Sequence, residues 1–287
     1  MLKQRILSAI VMIAIVCAAL FLFSPFYFTL ALGLIVTAAV WEWTQFPRLK
    51  IVWRFVVTSI SLAVLFVWIF SQANYLNAGR VFADYAEPLL LVSVIWWGVA
   101  LGLVVTYPKS ANIWGNSLIL HIIFAVLTLL PFLIAVAALR LENYNIDSLH
   151  GIQLLLYVFV LVWAADSGAY FAGRKFGKHK LAPKVSPGKT WQGVMGGVIT
   201  AGVLAELFIY LAGDNFFMHG NPLNLTALSI ATVVVSMLGD LTESMFKRQS
   251  GIKDSSNLIP GHGGILDRID SLTAAIPFFA YFYFFWL

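Results

Sequence analysis

The sequence predicts an all-α polytopic membrane protein with about nine transmembrane helices and a cytoplasmic N-terminus. Of its 287 residues, 61% are hydrophobic and 11% charged, too little charge to cover the surface of a soluble domain of that length. Residues 6–41, 55–79, 110–139 and 215–239 contain no Asp, Glu, Lys or Arg, and about 20 apolar residues suffice for a helix to cross the hydrocarbon core. The basic residues divide unevenly between the two sets of alternate connections, as orientation by Lys and Arg requires.

The first crossing is expected at 6–23. The stretch "MLKQRILSAIVMIAIVCAALFLF" is similar to a signal peptide in its basic start and apolar core. No small-x-small cleavage site follows and a second apolar run begins at once, so it reads as a retained helix. Cys17 within it is the single cysteine, which excludes an intrachain disulfide and a multi-cysteine metal site. The same charge-free run continues into a second crossing at 26–45, where Glu42, between Trp41 and Trp43, reads as a helix-end residue near the headgroups. Crossings three to five fall at 52–71, 88–107 and 116–139. The sixth and seventh, 150–172 and 191–212, are interrupted by Asp166 and Glu206. The eighth, 225–246, ends in an acidic stripe, and the ninth, 271–287, is short, which tilt or local thinning accommodates. Small-xxx-small pairs at Gly98/Gly102 and Gly193/Gly197 are candidates for close helix packing.

On this layout 16 of the 18 Lys and Arg residues share one side, with only Arg80 and Arg140 opposite. Residues 1–149 form the N-terminal group of about five helices, and 150–287 the catalytic region with the cytoplasmic 6–7 and 8–9 connections. The net charge of +5 is therefore that of a membrane protein facing anionic headgroups, and nucleic acid is not an expected partner.

The acidic residues carry the chemistry. A carboxylate in hydrocarbon costs roughly 2.5–3.5 kcal/mol or more, so it should face a partner, water or an ion. In "GDLTESMFKRQ", Asp240, Glu243, Ser244 and Lys247 follow helical spacing and share one face where the eighth helix leaves the membrane. That stripe suits a lined polar cavity or a buried salt bridge. The chain returns through "PGHGGILDRID", in which Gly261, Gly263 and Gly264 permit close backbone approach and turn amides toward a phosphate. His262 lies among them, and Asp267 and Asp270 follow three residues apart. An oxygen-rich, thiol-free site of this kind suits Mg²⁺, whereas a capped glycine turn would leave His262, Arg268 and the second aspartate without a role. The 6–7 connection puts Asp166 and Ser167 in a helix and continues through "GRKFGKHKLAPKVSPGKTWQG". Its "SPGKT" is not a nucleotide P-loop, because Pro183 stands where that motif needs glycine. Ser186, Gly188, Lys189 and Thr190 are still placed to hold phosphates at the start of the seventh crossing.

From Ser244 to Asp270 the chain reads "SMFKRQSGIKDSSNLIPGHGGILDRID" and resembles the signature of phosphatidate cytidylyltransferases, also called CDP-diacylglycerol synthases: S-x-apolar-K-R, K-D, P, H-G-G and D-R-x-D. Every specified position is filled. "DSGAY" and "SPGKTWQG" resemble this family's second conserved region, departing at Gly188 and Gln192, where many members carry Lys and Glu. The close resemblance covers about 120 C-terminal residues, and its wording resembles the bacterial enzymes, which implies the cytoplasmic (inner) membrane. What the resemblance implies is Mg²⁺-dependent attack of the phosphatidate oxygen on the α-phosphorus of CTP, giving CDP-diacylglycerol and diphosphate for phospholipid synthesis. It further implies Asp240 and Asp267 as main metal ligands with Asp166 a third. Lys247, His262 and Arg268 complete the reacting set, while Ser186, Lys189, Arg248, Lys253, Gly263 and Gly264 hold substrate. Glu243 and Asp270 orient those groups. A homodimer is also implied by the resemblance.

Two other classes compete. A cation- or proton-coupled transporter also places carboxylates in helices, but it requires polarity along the whole path. A CDP-alcohol phosphotransferase requires a D-G-x-x-A-R signature that this chain lacks.

Overall fold

The computed structural model describes residues 2–79, 83–212 and 221–287. Its elements in chain order are α1 (Leu2–Leu22), α2 (Pro25–Trp43), α3 (Ile51–Ser71), the short α4 (Ala73–Asn77), α5 (Ala83–Val105), the single turn α6 (Ala111–Trp114), α7 (Leu118–Leu141) and α8 (His150–Phe176). A two-stranded hairpin follows, β1 (Lys180–Ala182) and β2 (Ser186–Thr190), and then α9 (Trp191–Ala212), α10 (Pro222–Ser250) and α11 (Leu266–Phe285). Seven of these, α2, α3, α5, α7, α8, α9 and α10, are long and apolar enough to cross a membrane by the described residues. The chain is an all-α polytopic membrane protein.

Its surface is inverted relative to a soluble protein. Large apolar side chains such as Val67, Leu211 and Leu223 are 70–72% exposed. Ser229, Ser236 and Glu42 are wholly buried. Hydrocarbon solvates the former, while the interior must supply partners for the latter. Ser229 and Thr29 accordingly bond back to carbonyls one turn earlier, and Ser229 also meets the Tyr157 hydroxyl at 2.5 Å.

α11 lies at the centre, packed against α10, α7, α5 and α8, while α3 leans on α2 at the periphery. Small residues bring α8 and α9 together. A β-carbon on Gly193 would sit 2.9 Å from the Ala169 carbonyl, and one on Gly197 3.1 Å from that of Ala165. The second expected pair differs. Gly98 and Gly102 meet nothing within 4 Å among the described residues, so this pair does not bring two helices of the described chain together.

α10 shows why the site forms where it does. Asn221 caps its first turn through Leu223 N–H at 3.0 Å, Pro222 fills the first helical position, and Gly251 at φ +74° ends it. At about 1.5 Å per residue, 29 residues outrun a hydrocarbon core of roughly 30 Å, so the last turns project into the headgroup layer. There the connections converge. Arg48 bonds the Gln249 carbonyl, Ser250 that of Phe46, Arg248 that of Val185, and Ser8 near the start of α1 meets His262. The start of α1 and the 44–50, 177–190 and 251–265 connections thus share one end. Arg140, bonded to the Leu20 carbonyl, lies at the other end. Arg80 lies outside the described residues, as do the side chains of Lys3 and Arg5.

Candidate active site

α10 and α11 run antiparallel, and they touch where Gly239 leaves room for the Asp270 carbonyl, which any side chain there would strike. Asp240 is therefore level with Asp270. Glu243 and Lys247 climb outward along α10 as Asp267 does along α11. The Lys247 ammonium sits 2.7 Å from Asp267 Oδ1 and 3.0 Å from Glu243 Oε2. Asp267 Oδ2 also accepts the Ser255 and Gly264 amides at 2.9 and 2.8 Å. Asp267 thus accepts an ammonium from one helix and two amides from the segment that precedes its own.

The hairpin adds the other wall. β2 consists of "SPGKT" and runs straight into α9, with Thr190 Oγ1 accepting the Gly193 amide at 3.1 Å. This is a strand entering a capped helix. It delivers Lys189 to Asp240 at 2.8 Å, and Ser244 donates to the other oxygen of that aspartate at 3.2 Å. Asp166 on α8 feels the charges of Asp240 and Lys189, and Asp270 feels those of Asp240 and Lys247.

Five carboxylates from three helices, Asp166, Asp240, Glu243, Asp267 and Asp270, thus form a connected set, while the described ion pairs bring two ammonium groups to it, Lys189 and Lys247. Carboxylates gathered this closely at a membrane helix end need cations or protons to offset them. Among the described residues no three His, Cys, Asp or Glu side chains already stand as a ligand set for an ion. The donor chemistry, all oxygen and no thiol, fits a hard divalent cation.

A model of the cytidylyltransferase family matches residues 3–286. The chain belongs to the cytidylyltransferase family. Over 286 residues it is 61% identical to the phosphatidate cytidylyltransferase of Haemophilus influenzae, covering 99% of both chains. It is 44% identical to that of Pseudomonas aeruginosa, over 98% of this chain and 96% of the other. With that of Bacillus subtilis it shares 32% identity, over 96% and 95%. As a cytidylyltransferase the chain is a nucleotidyltransferase enzyme.

Within this cytidylyltransferase the structure brings together seven of the residues singled out by sequence: Asp166, Lys189, Asp240, Glu243, Lys247, Asp267 and Asp270. Arg248 donates to the Val185 carbonyl at 3.2 Å and ties the hairpin to α10. Lys253 and Arg268 are exposed and Ser186 half-buried. His262 Nδ1 lies 2.7 Å from Ser8 Oγ. The Gly264 amide is committed to Asp267, and Gly263 carries a backbone carbonyl bonded by Ile259 N–H at 2.8 Å.

Sequence reasoning missed Glu42. It stands at the end of α2 but is fully buried rather than facing headgroups, because the segment before α11 folds over it. The available signal was the lone carboxylate that ends a 36-residue charge-free run.

Proposed function

We propose that this chain joins CTP to phosphatidate, releasing diphosphate and forming CDP-diacylglycerol, at the cytoplasmic end of a nine-helix bundle in the bacterial inner membrane. The observation that carries the reading is the carboxylate set with its two lysines at the end of α8, α10 and α11, in a chain that is 61% identical over its length to a phosphatidate cytidylyltransferase. A site at a helix end in the headgroup layer meets a nucleotide from water and a lipid phosphate from the leaflet.

The lipid phosphate is already an anion, so no side chain has to generate a nucleophile. The barrier lies in bringing two polyanions together and stabilising the departing diphosphate, work for fixed cationic groups. Lys189 and Lys247 stand at 25% and 12% side-chain exposure with their ammonium groups already held, so little ordering is left to do when phosphates arrive. Exposed Lys253 and Arg268 extend that charge to the rim. Asp240 and Asp267 would hold Mg²⁺, with Asp166 a third ligand and Glu243 and Asp270 orienting them. Bound there, Mg²⁺ supplies the charge that offsets the phosphates and the leaving group.

A coupled transporter requires polar lining through both halves of the bundle. Here the space between α8 and α9 in the opposite half is lined by Leu156, Val160, Leu204, Leu207 and Leu211, with Gln153 and Tyr157. The family implies a homodimer, nucleic acid has no place in this chemistry, and the excess of Lys and Arg at the site end sets the cytoplasmic orientation.

The test is a nucleotide series with the purified protein, offering CTP, dCTP, ATP, GTP and UTP with and without phosphatidate. Lipid-dependent diphosphate release is expected from CTP and dCTP, since none of the residues singled out guards the ribose 2′-hydroxyl. Release from ATP at a comparable rate, or without lipid, contradicts the reading.

A further inference from the structure

Glu42 lies in the last turn of α2 in the N-terminal group of helices, yet all the described bonds of its side chain go to the segment that opens α11. Its side chain is wholly buried. Oε1 accepts from Ser256 Oγ at 2.6 Å and Ile265 N at 2.9 Å, and Oε2 from Ser255 Oγ at 3.0 Å and Leu266 N at 2.6 Å. Four neutral donors thus take up the buried carboxylate, and two of them are the N-cap amide of Ile265 and the first amide of α11 at Leu266, where the helix dipole favours an anion. Gly264 has no side chain because one would strike Glu42 and Ser255. The Gln45 side chain adds a bond to the Ser255 carbonyl.

The same stretch holds Asp267. Ser255 gives its hydroxyl to Glu42 and its amide to Asp267, and the adjacent amides of Gly264 and Ile265 divide between Asp267 and Glu42. Two carboxylates therefore grip one segment from opposite sides, and Asp267 in turn holds Lys247. A shift of the segment moves Asp267, and with it Lys247.

We infer that Glu42 is a positioning residue for the transfer reaction, fixing residues 255–266 so that Asp267 stands at the site and holds Lys247 where the phosphates arrive. The inference rests on the proposed function for what is positioned, and on the hydrogen bonds alone for the positioning itself. It assigns a task to the N-terminal helices, whose contribution the sequence did not reveal.

Charge and shape can be separated here. Glu42→Gln keeps the volume but turns an N–H₂ toward donors. Glu42→Asp keeps the charge but is one methylene short. If Glu42 only filled space, Gln would be the milder change; if it holds the segment, Asp is. Misplacement of reacting groups by about 1 Å costs roughly a hundredfold, so kcat/KM for CTP in Glu42→Gln should fall by about that factor per folded molecule, with Asp retaining more activity than Gln. Amide exchange of residues 255–266 should speed up in Glu42→Gln, a readout independent of turnover. Ser256→Ala, which removes a single bond to Oε1, serves should Glu42→Gln fail to insert, and faster exchange in that segment is again expected. Wild-type exchange in both variants, or Gln outperforming Asp, overturns the inference. Failure of the wild-type protein to make CDP-diacylglycerol would instead overturn the functional reading and leave the exchange result standing.

Discussion

Asp267→Asn is expected to lower turnover by a factor of about 10³ while the protein remains folded and membrane-inserted. Loss of one preorganised electrostatic group costs roughly 10²–10³, and this carboxylate serves at three points. It holds the Lys247 ammonium at 2.7 Å, it accepts the Ser255 and Gly264 amides, and it is an expected metal ligand. An asparagine offers one carbonyl oxygen and turns an N–H₂ toward donors. Lys247 keeps Glu243 as partner at 3.0 Å, so no bare buried charge results and the bundle survives. The checks are elution of the variant as the wild-type species and its turnover with radiolabelled CTP and phosphatidate. Near wild-type turnover in the folded variant would remove Asp267 from the site.

Asp240→Asn should act on the ion itself. Asp240 is the carboxylate to which both Asp166 and Asp270 are electrostatically tied, and it faces Lys189 at 2.8 Å. Groups that merely orient a metal's ligands cost 10–100-fold in metal affinity when removed, so loss of a ligand should cost at least about a hundredfold. Binding of Mn²⁺ in place of Mg²⁺, followed by electron paramagnetic resonance, reads this without reference to turnover. The wild-type protein is expected to immobilise Mn²⁺ and the variant not to do so at the same concentration. Equal binding by both would place the ion elsewhere.

The helices were legible because hydrocarbon imposes a simple rule: long runs without charge must be satisfied internally as helices. The expected 116–139 and 191–212 crossings correspond to α7 at Leu118–Leu141 and α9 at Trp191–Ala212. Boundaries slipped where polar residues continue a helix beyond the apolar run. α10 extends to Ser250 and α8 to Phe176, since their last turns reach the headgroup layer, where charge carries little penalty. On α10 the helical spacing of Asp240, Glu243 and Lys247 was visible by period alone. Pairings between elements were not. Lys189 meets Asp240 across 51 positions, and Glu42 meets Leu266 across 224, and nothing local to either partner encodes the other. The hairpin of β1 and β2 was hidden for a related reason, because a lysine- and glycine-rich connection reads as a topology signal whether or not it pairs.

The most direct measurement follows the α-phosphorus of CTP, radiolabelled and supplied to the purified protein with phosphatidate vesicles and Mg²⁺. The account predicts that the label enters the lipid phase one for one with released diphosphate, and that removal of the divalent cation abolishes both. Label that stays in the aqueous phase as nucleotide, or that reaches lipid undiminished in excess chelator, would contradict it.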